Sequence, residues 1–163
     1  NWKRSKFEVS SLFNFIEQSY KEFEKISLSE NFKVCHFGST KKLPSSIIKI
    51  IDNVQKKTRK NKGMQINLAF NYSGREEIVN AAKKLALKQK NTNRFESYLY
   101  TKNIPDPELI IRSGGEYRIS DFLLWQSAYS ELFFTKILWP DYKFLNLKKT
   151  LRNYLKRKRN YGK

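Results

Sequence analysis

Hydrophobic and polar residues follow one another along this chain in two different periods, and each period predicts a different secondary structure. Between residues 5 and 26 apolar side chains recur every three or four positions, which predicts an amphipathic helix carrying Val9, Leu12, Ile16, Tyr20 and Phe23 on one face. Ser5 is placed to cap this helix, and Glu8, three residues later, completes a capping box. Segment 32–37 is instead dense in aromatic and β-branched residues and ends at Gly38, so it is predicted to be a strand.

The same two periods organise the rest of the chain. Further helices are predicted from Pro44 up to Gly63 and at 76–88, 95–101, 121–130 and 146–160. Further strands are predicted at 64–70, 108–112 and 131–135. Strands that alternate with helices in this way predict an α/β fold, here a single domain with a largely parallel central sheet flanked by helices.

Length and composition limit the chain to one domain in a reducing compartment. Its 163 residues, 39% of them hydrophobic, suffice for one core. Cys35 is the single cysteine, so no internal disulfide can form. No apolar run reaches the roughly eighteen residues that a membrane span needs, and we expect a cytoplasmic protein. The chain opens with Asn1 and has no methionine before Met64, so we also expect that a preceding segment is missing.

The charge is strongly positive, with 33 Lys+Arg against 15 Asp+Glu and a formal net charge of +18. Such an imbalance favours nucleic acid, anionic lipid or phosphorylated substrates as partners. Much of the excess, however, is lysine on predicted helices, as in segment 56–62, where solvated helix faces account for it equally well. The charge alone therefore names no partner.

The richest chemistry follows the predicted strand at 108–112. Two arginines, two glycines, a glutamate and a serine lie within nine residues: Arg112, Gly114, Gly115, Glu116, Arg118 and Ser120. In parallel sheets ligands bind beyond the carboxyl ends of the strands. Glycines let the backbone present N–H groups to an anion, and arginines form forked bonds to phosphate oxygens. The cluster predicts a phosphate or diphosphate pocket; the alternative is an ordinary turn with surface charges.

Two carboxylates near this pocket raise the question of a metal. Glu116 and Glu131 would repel a diphosphate unless a cation lay between them, and Mg²⁺ is the natural choice. Salt bridges from both glutamates to the same arginines are the alternative. His36, the only histidine, lies in a predicted strand, where structural packing is the simpler interpretation.

The run 112–141, RSGGEYRISDFLLWQSAYSELFFTKILWPD, resembles the C-terminal signature of the cis-prenyltransferases, the undecaprenyl diphosphate synthase family. Stretches 1–9 and 64–78 and the basic tail ending at Gly162 resemble the family in order and spacing. The resemblance implies that 1–163 is the C-terminal two-thirds of one cis-prenyltransferase domain. The family's first strand, phosphate-binding loop and catalytic aspartate are absent, so the chain as it stands is expected to be inactive.

Members of this family condense isopentenyl diphosphate onto an allylic diphosphate such as farnesyl diphosphate, using Mg²⁺. By resemblance, this chain would take part in making an undecaprenyl-type polyprenyl diphosphate, as a homodimer. Its implied substrate-binding residues are Trp2, Arg4, Arg112, Arg118, Ile119 and Ser120. Glu131 matches the metal-associated glutamate, while Glu116 would orient the arginines and Glu8 would support the mobile loop that contains Trp2.

The family also encloses the growing hydrocarbon in an apolar tunnel. By resemblance, the tunnel would be lined by Leu12, Phe15, Ile16, Met64 and Ile66. Helical spacing explains the first three equally well as core residues.

Two positions depart from the family pattern. Tyr117 stands where the family often has His or Gln, and Asn160 replaces the arginine of the C-terminal Arg-x-Gly.

Two rival functions are alternatives to this reaction. A non-catalytic subunit of a heteromeric prenyltransferase would be expected to keep Arg-x-Gly and lose the arginine-rich signature, which is the reverse of this chain. A nucleic-acid-binding domain using the tail 152–163 leaves 112–141 unexplained. The tail also suits contact with an anionic membrane surface.

Overall fold

The computed structural model describes residues 5–87 and 94–158. Its contacts divide the chain into two units, with the boundary between Tyr72 and Ser73. Trp2, Arg4 and Asn160 lie outside the described residues.

The first unit contains two helices and two strands in alternation. They are α1 (Lys6–Ser29), β1 (Lys33–Phe37), α2 (Ser45–Thr58) and β2 (Gln65–Ala69). The capping box predicted for α1 is present: the Glu8 N–H donates to Ser5 Oγ at 3.3 Å, and the Ser5 N–H donates to Glu8 Oε2 at 3.0 Å. β1 and β2 pair in parallel, with Val34 opposite Ile66.

A hydrophobic core lies among these elements. It comprises Ile16, Tyr20, Val34, Leu43, Ile47, Ile51 and Val54. Each such side chain contributes about 1.5–3 kcal/mol when fully buried. Thr58 joins helix to strand, because its hydroxyl donates to the Val54 carbonyl at 2.8 Å and accepts the Val34 N–H at 3.1 Å. The period-3.6 faces predicted for α1 and α2 therefore meet as the sequence indicates.

In the second unit two consecutive strands lie between helical segments. It contains α3 (Gly74–Leu87), a 3-10 helix (Phe95–Tyr98), β3 (Leu109–Arg112), β4 (Glu131–Phe134), a second 3-10 helix (Trp139–Asp141) and α4 (Phe144–Leu155). β3 and β4 pair in parallel, with Leu109 opposite Glu131 and Arg112 opposite Phe134. The register puts Arg112 at the carboxyl end of the pair.

The α/β class and the parallel pairing are confirmed. The four described strands pair two by two, β1 with β2 and β3 with β4, whereas the sequence alone suggests one central sheet. The single-domain organisation stays a prediction.

The prediction of a helix at 121–130 is wrong, because this segment forms a series of turns. Ser120, Asp121 and Leu123 have φ values of 46°, 65° and 47°, which no right-handed helix accommodates. The apolar block has helical composition, but its backbone follows contacts with residues distant in the sequence.

Among the described residues, no helix combines the length and the apolar character that crossing a bilayer requires.

Candidate functional site

The carboxyl end of β3 carries the centre of the candidate site. Arg112, the last residue of β3, donates from Nη1 to Ser120 Oγ at 2.9 Å. The two side chains predicted to bind a phosphate are therefore adjacent. Arg112 also lines a cavity of about 280 Å³ together with Ile119 and Phe122, so a cation, a hydroxyl and apolar surface meet in one place.

The two glycines shape the backbone bend after β3. Gly114 and Gly115 have φ values of 93° and 81°, a region where side chains cause strain. Their N–H groups donate to the carbonyls of Ile137 and Thr135, each at 2.9 Å. The prediction that these N–H groups face an anion is wrong, because the segment after β4 already accepts both. Both glycine N–H groups are therefore engaged within the protein.

Arg118 forms an ion pair with Glu116. Their side chains are 62% and 49% exposed, and a pair this exposed contributes only about 0–1 kcal/mol. A phosphate could therefore replace the Glu116 carboxylate as the partner of Arg118 at little cost in free energy. The orienting role of Glu116 toward the neighbouring arginines stays a prediction.

Glu131 begins β4 and pairs with Arg157. This carboxylate thus forms its ion pair with an arginine beyond α4, rather than with Arg112 or Arg118. Its oxygens are hard ligands that suit Mg²⁺, which proteins often bind through one or two carboxylates together with substrate phosphates. The described part of the chain contains no cluster of three or more His, Cys, Asp or Glu side chains that could hold a metal. The metal role of Glu131 stays a prediction.

Asp121 is a functional candidate that sequence reasoning missed. Its carboxylate accepts the Ser73 hydroxyl at 2.6 Å and the Arg75 N–H at 2.9 Å, and its carbonyl accepts the Gly74 N–H at 2.8 Å. Local patterns gave no signal for this role, because an aspartate at position 121 is equally typical of the N-terminus of the predicted helix.

A buried polar cluster supports the same turns. Glu77 on α3 is 2% exposed and Gln126 is 1% exposed. Glu77 accepts the Tyr100 N–H at 2.7 Å and the Gln126 side-chain amide at 3.1 Å, and the same amide donates to Thr101 at 2.9 Å. Sequence reasoning missed this cluster because glutamates in the first turn of a helix usually face solvent.

The residues predicted to line a tunnel differ in exposure. Ile16 is buried in the core of the first unit, and Leu12 packs against that core. Phe15 is 65% exposed and Met64 is 58% exposed, while Ile66 is partly buried. Their role in a tunnel stays a prediction. Glu8 serves the capping box of α1, which fixes where the helix begins.

Tyr117 and His36 have structural contacts. The Tyr117 ring lies 5.5 Å from the Phe134 ring in a tilted arrangement. His36 Nε2 is 2.9 Å from the Phe70 carbonyl, so Nε2 carries the proton and donates it. Burial lowers the pKa of His36, and the Phe70 contact and Asp52 oppose that shift. The packing interpretation of His36 is confirmed.

Comparison with known proteins relates this geometry to a family. The prenyltransferase family model for undecaprenyl diphosphate synthase matches residues 1–162. The isoprenyl transferase of Chlorobaculum tepidum is 40% identical over 100% of this chain and 65% of its own length. The tritrans,polycis-undecaprenyl-diphosphate synthase (geranylgeranyl-diphosphate specific) of Sulfurisphaera tokodaii is 40% identical over 98% of this chain and 65% of its own length.

A solved structure shows the same fold. Lavandulyl diphosphate synthase from Lavandula x intermedia, in complex with dimethylallyl diphosphate, aligns with a TM-score of 0.94 at 33% identity, over 100% of this chain and 75% of that one. The chain spans 65% of the length of the two bacterial and archaeal relatives above. With the family model matching nearly every residue, this chain belongs to the undecaprenyl diphosphate synthase family, the cis-prenyltransferases.

Proposed function

We propose that this chain forms the isopentenyl diphosphate side of a cis-prenyltransferase active site. The protein would elongate an allylic diphosphate such as farnesyl diphosphate into an undecaprenyl-type polyprenyl diphosphate. Family membership and the names of the relatives support the reaction class. The observation that carries the site assignment is the contact of Arg112 with Ser120, together with the cavity that Arg112 lines beside Ile119 and Phe122.

In this proposal each residue binds a different part of the substrate. The Arg112 guanidinium and the Ser120 hydroxyl bind the diphosphate of isopentenyl diphosphate, and Arg118 exchanges Glu116 for a phosphate oxygen. Ile119 and Phe122 contact the isopentenyl carbons. The reaction breaks the allylic C–O bond, forms a C–C bond to the terminal alkene carbon and releases one proton and diphosphate. Holding the alkene still beside the allylic carbon is this chain's contribution.

A divalent cation, Mg²⁺ in our proposal, would stabilise negative charge on the departing diphosphate. Glu131 would hold it together with diphosphate oxygens and groups outside the described residues. Because Arg157 pairs with Glu131, this carboxylate would exchange a guanidinium for the metal on binding. Trp2 and Arg4 remain proposed substrate-binding residues, and Leu12, Phe15, Ile16, Met64 and Ile66 remain the proposed tunnel. A homodimer and a cytoplasmic location are likewise proposed.

The rival functions have less support. An intact arginine-rich signature argues against a non-catalytic subunit. A nucleic-acid-binding role does not account for a family match over residues 1–162.

Isopentenyl diphosphate binding tests the site directly. Titration calorimetry on this chain should show affinity about 10- to 100-fold weaker for Arg112→Ala, since a charge-assisted bond contributes roughly 1.5–3 kcal/mol. Arg59→Ala, at an exposed arginine at the end of α2, is the matched control. In the full-length natural protein, Arg112→Ala should equally weaken Mg²⁺-dependent incorporation of labelled isopentenyl diphosphate with farnesyl diphosphate. Unchanged binding in Arg112→Ala would remove the assignment.

A peripheral membrane contact is the last part of the proposal, and one face of α4 supports it. Phe144 is 73% exposed, Leu151 43% and Leu155 78%. Spaced seven and four residues apart, they form one stripe along the helix. Lys148, Arg152 and Lys156 lie beside the stripe. An exposed apolar stripe flanked by cations suits an anionic lipid surface.

Vesicle co-sedimentation tests this contact. The chain should bind vesicles of phosphatidylcholine with phosphatidylglycerol more strongly than phosphatidylcholine alone, and less as salt rises. Leu155→Ser should weaken binding, whereas Leu87→Ser, at an 83% exposed leucine on α3, should not. Equal loss in both variants, or a change only in oligomeric state by ultracentrifugation, would rule the membrane contact out.

A further inference from the structure

The segment after the phosphate-site arginine has an unusual backbone. Ser120, Asp121 and Leu123 all lie in the left-handed region, with φ between 46° and 65°. Residues with side chains seldom adopt this conformation unless surrounding contacts impose it. Three such residues within four positions therefore require a specific anchor.

The anchor is the first turn of α3. Asp121 Oδ2 accepts the Ser73 hydroxyl at 2.6 Å, and Asp121 Oδ1 accepts the Arg75 N–H at 2.9 Å. The Asp121 carbonyl accepts the Gly74 N–H at 2.8 Å. Helix N-termini present N–H groups that have no partner within the helix. Asp121 thus accepts hydrogen bonds from two of these N–H groups, and the same bonds hold its own backbone in place.

Gly74 makes this approach possible. A Cβ at position 74 would lie 2.8 Å from the Asp121 carbonyl oxygen and 2.9 Å from Leu124 Cγ. Real Cβ atoms do not come so close to backbone atoms, so any larger residue would push the turn away. The fit between helix and turn therefore depends on Gly74 as much as on Asp121.

The anchored turn also sets the position of the phosphate-site serine. Ser120 immediately precedes Asp121, and its Oγ accepts the Arg112 Nη1–H at 2.9 Å. A rotation of the backbone at Asp121 would carry this hydroxyl away from Arg112. The α3 N-terminus and the Arg112–Ser120 contact are thereby linked through one residue.

We propose that Asp121 and Gly74 are positioning residues that dock the turn at 120–123 on α3 and thereby hold Ser120 against Arg112 for diphosphate binding. This inference rests on the proposed function, because it takes Arg112 and Ser120 as the diphosphate ligands. Neither positioning residue needs to touch the substrate. Their effect is on the geometry of the groups that do.

Binding of inorganic pyrophosphate to this chain, measured by titration calorimetry, tests the proposal. Asp121→Ala removes the carboxylate and should weaken binding by about tenfold, within the range of couplings between contacting residues. Asp121→Asn keeps a side-chain oxygen and tolerates a left-handed backbone, so it should stay within about threefold of the native affinity. Gly74→Ala should resemble Asp121→Ala. Gly63→Ala, where a Cβ would lie 2.5 Å from the Asn31 carbonyl in the first unit, is a matched steric control that should leave the affinity unchanged.

The Ser120→Ala background separates positioning from general destabilisation. If Asp121 acts through Ser120, Asp121→Ala should have little further effect there. An equal loss in both backgrounds, or native affinity in both Asp121→Ala and Gly74→Ala, overturns the inference. Should one variant not fold, the other decides by the same criteria. Arg112→Ala tests the proposed function separately: if it leaves pyrophosphate binding unchanged, the site itself is wrong, whatever the Asp121 variants do.

Discussion

The two units of this chain are stabilised by different kinds of contact. Among the described residues, buried apolar side chains are concentrated in the first unit, and the second has only Ala81 and Leu99. Of the buried polar side chains, Glu77, Gln126 and Thr150 belong to the second unit, and the first contributes the small hydroxyl residues Ser27 and Thr58. Apolar burial tolerates many geometries, whereas hydrogen bonds specify one. The unit that carries the candidate site is thus the one whose backbone is specified by polar contacts.

A core truncation should have the largest effect if the first unit depends on apolar burial. Ile51→Ala, at a residue 1% exposed, should lower the free energy of unfolding by about 2–5 kcal/mol because it leaves a cavity. Hydrogen exchange at β1 and β2 would measure it. Ile26→Ala, at a 42% exposed isoleucine on α1, should cost far less. Similar losses in the two variants would contradict a core-dominated unit.

Removal of the buried Glu77 carboxylate should have the second-largest effect on stability. Glu77→Ala leaves the Tyr100 N–H and the Gln126 amide without this acceptor and should cost about 1–3 kcal/mol. The exposed neighbour Glu76 provides the control, and Glu76→Ala should change stability by less than about 0.5 kcal/mol. Exchange at β3 and β4 is the measurement. If both variants unfold alike, polar contacts do not dominate this unit.

Gly114→Ala should show the energetic cost of placing a side chain on a backbone with positive φ. Nothing lies within 4 Å of a Cβ built there, yet φ is 93°, so the expected cost of about 1–2 kcal/mol is conformational strain alone. Chemical denaturation would detect it. A neutral result would mean that the bend after β3 can relax.

The smallest effect concerns His36, a partly buried polar residue of the first unit. Burial lowers the pKa of His36 below its ordinary value of 6.5, so the unfolded chain takes up a proton first as the pH falls. The contribution of neutral His36 to the free energy of unfolding is complete above about pH 6.5. It is lost as the pH falls through the lower pKa of the folded state. His36→Gln can still donate to the Phe70 carbonyl but does not titrate. Because His36 is the only histidine, the variant should lose the pH dependence in this range; an unchanged slope would assign it to other groups.

Local patterns were enough to predict most elements. The capping box that begins α1, the strands that became β1 and β2, and the placement of Arg112 at a strand end all follow from residues within a few positions of each other. Hydrophobic period and cap chemistry act over one or two turns, so they can be read from the sequence. The resemblance of residues 112–141 to a family signature also predicted the reaction class.

Tertiary contacts decided the rest. The turns at 121–130, the Glu131–Arg157 pair and the use of both glycine N–H groups depend on partners that local patterns do not specify. Asp121 and Ser73 are 48 positions apart, and Gln126 and Glu77 are 49 apart. Apolar composition alone favours a helix at 121–130, but the carboxylates of Asp121 and Glu77 accept hydrogen bonds from donors that only the folded chain brings within reach. The sequence by itself determined the elements and the chemical groups of the site, while the fold determined which of those groups meet.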